Sequence, residues 1–295
     1  MSTEKKQALV GFVFIMPFYV LFLTFNLFPI ASGFYLSFFR WDGVSIMRFL
    51  GFENYKNIIM DRLFRKALIN TISMGIANHI PALFGALVIA YILNSKLIRF
   101  QNIFKTMFFM PMVTSAVAAS IIFTFIFGYQ FGIVNGILVI FGMDKINWLM
   151  GDGSKIRYAV MAMFIWKWMG WNMVIYLAGM QGISEDLYEA ATIDGASHGQ
   201  IFWRITIPLL KPIILFTMVT SSIGMFGLFT EPFILTNSAW NGGPNNGVLT
   251  VMMYLLSKAP QGGNAYGYAA ATAYIIVVFI MLFTFFFNRV MGEKD

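Results

Sequence analysis

The 295-residue sequence contains no cysteine. A disulfide framework, a thiolate metal site and a cysteine nucleophile are therefore excluded. Charge is almost as scarce: Asp, Glu, Lys and Arg make up 11% of the chain, where a soluble domain carries about 25%. Histidine occurs only at His79 and His198, so there is no H-E-x-x-H and no expected metal site, and His79 reads as a helix-packing or cavity residue. The dipeptide Gly-Lys is absent. Without it no G-x-x-x-x-G-K-[ST] phosphate loop exists, and the chain is not expected to hydrolyse ATP by itself.

What is present is apolar sequence in long runs. Hydrophobic residues make up 59% of the chain, and a membrane-crossing helix needs about 20 of them in succession. Six stretches qualify, at 9–39, 68–94, 102–128, 156–178, 212–236 and 266–290. The fold class is thus an all-α polytopic membrane protein, one transmembrane domain over 1–295. The basic N-terminus and its apolar run are read as a retained first span, since no small-residue cleavage site interrupts them. Pro17 and Pro29 are places for that span to bend, and His79 with Pro81 predicts a kink in the second. Residues 131–141 are too short to cross and are broken by Gly132 and Gly136, which favours an interfacial segment, with Trp148 suited to the same depth.

The net charge of +7 comes from residues that flank apolar spans. Anionic lipid headgroups, not nucleic acid, are their expected partners. Counting Lys and Arg does not orient the chain: nine fall on the side of the N-terminus, Lys96 and Lys294 among them, and ten on the other.

Between the fourth and fifth spans lies a polar loop, 184–211, containing "YEAATIDGASHGQIFWRITIPLLKP". Ser184 predicts an N-cap, with Glu185 and Asp186 in the first turn where carboxylates oppose the helix dipole. Gly195 predicts a left-handed exit. Ser197 predicts the cap of a second helix that Pro208 stops or redirects, its stripe Ile201, Phe202, Ile205 and Leu209 packing on the bundle. Glu185 and Glu189, four apart, share one face. The pattern is a helix-turn-helix on the membrane surface with an acidic knob turned outward.

The spacing within this loop resembles the EAA motif of permease subunits in binding-protein-dependent ABC importers: Glu189-Ala190-Ala191, three residues, Gly195, nine residues, Ile205-Thr206-Ile207-Pro208. Isoleucine at 207 departs from the family's leucine. "YLAGMQGISEDLYEAATIDGA", "LGFENYKNI" and "FILTNSAWNGGP" are similar to the carbohydrate branch of that family, the maltose and glycerol-3-phosphate permeases. The resemblance extends over nearly the whole chain. It implies the type I ABC importer fold, both termini cytoplasmic in a bacterial inner membrane, and a coupling loop that sits in a cleft of an ATPase. Glu185, Glu189, Ala190, Ala191, Asp194, Gly195 and Pro208 are its implied coupling residues. The implied partners are a second permease, two ABC ATPases carrying ATP and magnesium, and an extracellular solute-binding protein.

A substrate path is sought in two spans. In the fifth span Thr217, Ser221, Gly224, Gly227 or Leu228, and Glu231 recur three or four residues apart and so fall on one face, a stripe that lines a cavity or lets helices pack closely. Glu231 favours a cavity, because an ionisable group within a span usually faces water or a partner. In "WKWMGWNM", Trp168, Trp171 and Asn172 offer aromatic plates and an amide suited to a sugar ring, though tryptophan is also an ordinary interface anchor. Lys167 is placed either to pair with Glu231 or to touch substrate. The expected function is ATP-driven import of a sugar or oligosaccharide. The alternatives are import of a glycerol phosphate or other small polar solute, and a self-contained channel or carrier.

Overall fold

The computed structural model describes residues 3–95, 98–258 and 265–292. Lys96 and Lys294, both in the charge count, lie outside the described residues. The chain forms two compact units, Met1–Asp61 with Leu255–Val277, and Arg62–Tyr254 with Val278–Asp295.

In the first unit, helix α1 (Thr3–Phe22) passes through a π turn at Leu23–Leu27 into α2 (Phe28–Leu36). Every residue from Gly11 to Ile30 is exposed. An apolar helix with no buried face is stable only against lipid or a partner helix. A two-stranded ribbon follows, β1 (Phe39–Arg40) against β2 (Arg48–Phe49), antiparallel with Phe39 opposite Phe49. Helix α3 (Glu53–Met60) carries Asn54, which is fully buried and donates to the Ser37 and Phe39 carbonyls at 2.9 and 3.0 Å. This asparagine of the "LGFENYKNI" stretch clamps the end of α2 to the ribbon.

Asp42 closes the ribbon's loop. Its Oδ1 accepts from the Ser45 and Val44 amides at 2.7 and 3.0 Å and from the Ser45 hydroxyl at 2.8 Å. These bonds, the Ser45 amide first, hold the carboxyl down at about 2, below its ordinary 3.8. A depressed carboxyl pKa supports the folded loop fully above the unfolded value, and the support disappears as pH falls through the folded one. The protection of the Val44 and Ser45 amides against hydrogen exchange, relative to their intrinsic rates, is expected to hold steady down to about pH 4 and to fall from there toward pH 2. An Asp42→Asn loop that retained this acid transition would refute the assignment.

The second unit is built on a pair of long helices, α4 (Arg62–Asn94) and α8 (Ile156–Met180). Helix α4 runs unbroken through Pro81, so the kink expected there is not a break. His79 instead donates from Nδ1 to the Gly75 carbonyl at 2.8 Å and packs its ring against Phe164. Between the long helices come α5 (Gln101–Val113), α6 (Ala116–Ile126) and α7 (Ile133–Ile140). The stretch 102–128 is one apolar run but not one straight helix: α5 and α6 meet at 97°. Pro111 lies in the last turn of α5, where its missing N–H weakens the helix, and Thr114 and Ser115 are extended.

Helix α7 is the short segment expected between spans. Its Asn135, 1% exposed, bonds five backbone and side-chain groups: Nδ2 donates to the Gly128, Tyr129 and Ile146 carbonyls, and Oδ1 accepts from Ile146 N and Trp148 Nε1. Trp148 is therefore half-buried, held against Phe127 and the core. Apolar burial gives helices no preference for each other over lipid tails. Fully satisfied polar knots of this kind supply the specificity instead.

After α8 come α9 (Glu185–Ile193), α10 (His198–Ile201), a second π turn at Phe202–Thr206, α11 (Ile207–Leu209), α12 (Lys211–Phe226), α13 (Thr230–Leu235), α14 (Val251–Lys258) and α15 (Ala265–Met291). Both π turns end two residues before a proline, Pro29 and Pro208. A proline in a helix lacks one N–H and its ring strikes the carbonyl four residues back. A one-residue widening of the turn just before it relieves both problems. Contrary to expectation, Pro208 thus neither stops nor redirects its helix. The 70° bend falls between Leu209 and Lys211, ahead of Pro212. Among the described residues, four helices are long and apolar enough to cross a membrane, and the two bent pairs raise the number to six.

Candidate coupling loop and translocation path

The loop 184–211 is two capped helices. Ser184 Oγ accepts from the Asp186 amide at 3.3 Å and starts α9. At its end Ala196 N donates to Ala191 O and Gly195 N to Thr192 O, at 2.9 and 3.0 Å. That pair of bonds is a Schellman closure, which needs a left-handed residue at its corner. Gly195 supplies it with φ +78°. Ser197 and Gln200 form a capping box, Ser197 N to Gln200 Oε1 at 2.7 Å and Gln200 N to Ser197 Oγ at 3.4 Å. Both ends of the first helix and the start of the second are therefore tied off locally.

The loop is also pinned to the bundle. Tyr91 donates to the His198 carbonyl at 3.0 Å and packs edge-on against Phe202, while the Tyr188 and Thr206 hydroxyls are 3.4 Å apart. Ile201, Phe202, Thr206 and Leu210 are buried, whereas Ile205 is half-buried and Leu209 is 49% exposed. The expected inward stripe at 205 and 209 is corrected to 206 and 210. The π turn inserts one residue, which rotates every later side chain by about 100°.

What projects outward is compact. Glu185, Glu189, Ala190, Asp194 and Gly195 are exposed on α9 and its exit, with Ile193 85% exposed beside them, while Ala191 is turned in. Beside this knob, Asp194, Gly195, Gln200, Arg204 and Ile205 line a depression of about 220 Å³. Pro208 is exposed but lies beyond the π turn, apart from the knob.

The proposed path residues are less unified. Helix α12 ends at Phe226, and Glu231 sits in the first turn of α13. The expected single stripe from Thr217 to Glu231 is therefore interrupted. Thr217 is fully buried and its hydroxyl bonds Tyr176 at 2.7 Å, joining α12 to α8. Ser221 is half-buried, and Gly224 is exposed with no atom within 4 Å of where a Cβ would stand.

On α8, Trp168 is half-buried against Phe164, Trp171 is 41% exposed beside Phe109, and Asn172 is buried with Nδ2 donating to the Trp168 carbonyl at 3.1 Å. Lys167 is buried, and its Nζ donates to the Thr114 carbonyl at 2.5 Å. The ammonium thus closes the carbonyl exposed by the α5/α6 break. Sequence reading missed a second polar knot. Arg157 donates to Gly247 O at 2.9 Å and to Asn70 Oδ1 at 2.5 Å, while Asn70 donates to the Asn246 and Leu249 carbonyls at 2.8 and 3.1 Å.

Long apolar helices, two of them broken at prolines, with a capped acidic loop between crossings, define a polytopic membrane transport component. The chain belongs to the family of binding-protein-dependent transport system inner membrane components, whose model matches residues 83–292. It is 35% identical to the lactose transport system permease protein LacF of Rhizobium radiobacter over 286 residues, covering 96% of this chain and 94% of that one. It is 36% identical to the arabinooligosaccharides transport system permease protein AraP of Bacillus subtilis (strain 168) over 291 residues, 98% and 90% of the two chains. Its fold matches a chain of a bacterial ABC transporter involved in the import of the acidic polysaccharide alginate, with a TM-score of 0.82 at 22% identity, covering 98% and 96%. The type I importer permease fold and the multi-pass inner-membrane character are thus established, and the chain is a transport component and not an enzyme.

Proposed function

We infer that this chain is one permease of an ATP-driven importer of a sugar or oligosaccharide, and that 184–211 couples it to an ATPase. The observation that carries the coupling is the exposed acidic knob at Glu185, Glu189 and Asp194, capped at both ends and pinned to the bundle by Tyr91 and Tyr188. A helix tied off in this way moves as a body. Four residues join α8 to α9, and only Leu210 separates α11 from α12, so displacement of the knob is passed to α8 and α12, which carry Trp168, Asn172 and Ser221. The carbohydrate class is supported by the names of the lactose and arabinooligosaccharide relatives.

In this reading the loop and both termini face the cytoplasm. A second permease completes the path, two partner ATPases hold ATP and magnesium, and a solute-binding protein delivers cargo from the opposite side. Glu189 meets a basic group of the ATPase, a charge-assisted contact. The test is to reconstitute the chain in nanodiscs with its co-expressed neighbours and to measure ATPase activity with binding protein and a panel including lactose, arabinotriose and maltotriose. Stimulation by one sugar, dependent on the binding protein, is expected. Transport that proceeds without any ATPase would overturn the proposal.

A further inference from the structure

A cavity of about 470 Å³ lies in the second unit, between the first half of α4, the first turns of α8 and the turns at 152–154 and 245–247. Its size is within the range of small-molecule sites, about 300–1,000 Å³. It stands far from the coupling loop: from Arg157 to the end of α8 is about 35 Å at 1.5 Å per residue. It is also separate from the residues around Trp168 and Ser221. Among its lining residues is Asn78, 2% exposed on α4, whose Nδ2 has no hydrogen-bond partner. A buried amide donor left unpaired costs about 1–3 kcal/mol, and in a native fold such a group calls for an explanation.

The rest of the wall says what would pair with it. Arg157 spends its Nε and one Nη2 hydrogen on Gly247 and Asn70, which fixes the guanidinium in the wall with its other N–H donors unspent. Lys66 at the rim is exposed, and Asp152 at the same rim is kept ionised by the Ser154 hydroxyl and amide, which lower its pKa. A bare anion has no hydrogen to give that carboxylate and would leave it unpaired. A hydroxyl ligand can use all of these groups, accepting from Asn78 and Lys66 and donating to Asp152. The ring of Tyr158, 60% exposed on the same wall, offers an apolar plate for the C–H face of a sugar ring.

We propose that this cavity is an outer subsite for a neutral saccharide, anchored by Asn78, where cargo is held before it reaches the Trp168 and Ser221 region. It rests on the carbohydrate reading above. Because the chain has no cysteine, a single introduced thiol reports on one place. Ser73→Cys would report from this cavity and Ser221→Cys from the inner region, in nanodiscs of the assembled transporter, by the rate of maleimide labelling with and without millimolar arabinotriose, lactose or maltotriose. At least one sugar is expected to slow labelling at 73 several-fold. Asn78→Leu, and the smaller polar Asn78→Ser, should remove that protection while leaving the sugar-free rate and the protection at 221 unchanged. Protection at 221 alone, or protection at 73 that survives both Asn78 substitutions, overturns the subsite and leaves the carbohydrate reading intact. Protection at neither position by any sugar overturns both.

Discussion

Glu189→Lys is expected to abolish sugar-stimulated ATPase activity and uptake while the protein stays folded in the membrane. Glu189 is exposed on α9, and a surface substitution of that kind costs the fold within about ±0.5 kcal/mol. At an interface the same reversal sets two like charges together and costs several kcal/mol, at about 1.4 kcal/mol per tenfold. Coupling should therefore fall roughly a hundredfold or more. Gly195→Pro should do the same by another route. Proline fixes φ near −65° and has no N–H, whereas Gly195 sits at φ +78° and donates to Thr192. The Schellman closure is lost, and the knob is no longer presented at a fixed angle. Gly195→Ala is the control: a Cβ there meets no atom within 4 Å, so only left-handed strain of about 1–2 kcal/mol remains, and coupling should weaken without vanishing. Uptake at the wild-type rate by Glu189→Lys, with the chain present in normal amount by immunoblot, would end the coupling assignment.

The parts of this loop that were legible in the sequence are those set by neighbours a few residues apart. Ser184, Gly195 and Ser197 act on amides and carbonyls within five positions, and the caps occur where those residue types predict them. The inward face of the second helix was not legible, because a periodic stripe assumes a constant turn. Pro208 makes the turn before it wide, and Thr206 and Leu210 replace Ile205 and Leu209. The same assumption drew residues 212–236 as one helix, when α12 ends at Phe226 and Glu231 begins another element. Hydropathy places apolar runs but does not register a break inside one. The polar knots were invisible for a different reason: Asn70 pairs with residues 87 to 179 positions away, and nothing local to any of them names its partner. Lys167 is intermediate. The sequence placed it to pair with Glu231 or to touch substrate, but its bond partner, the Thr114 carbonyl, is free to accept only because the third span is broken.

That bond also identifies where the bundle is least forgiving. A Cβ on Gly170 would stand 1.7 Å from the Phe108 carbonyl oxygen, 2.4 Å from its carbon and 3.0 Å from the Phe109 nitrogen. All three obstacles are backbone, so no rotamer change relieves them and α5 itself must move away from α8. Gly75 offers the comparison, since a Cβ there meets the sulfur and Cγ of Met225, at 1.7 and 2.2 Å, and a methionine side chain can turn aside. Overpacking of a tight interface costs about 1–3 kcal/mol, and Gly170→Ala belongs at or above the upper end. A shift of about 2–4 °C per kcal/mol in a chain of this size predicts a fall in melting temperature of roughly 6 °C or more for Gly170→Ala, and clearly less for Gly75→Ala. Moving α5 also draws the Thr114 carbonyl away from Lys167, which leaves a buried ammonium and a buried carbonyl unpaired; breaking such a contact costs more than the bond itself contributed. Gly170 stands between Trp168 and Asn172, so any protein that survives should lose protection of a Ser221→Cys reporter by sugar before it loses its ATPase partner. Equal melting temperatures for the two alanine variants, measured by fluorescence-detected size exclusion after heating, would show that α5 and α8 do not meet backbone to backbone at this point.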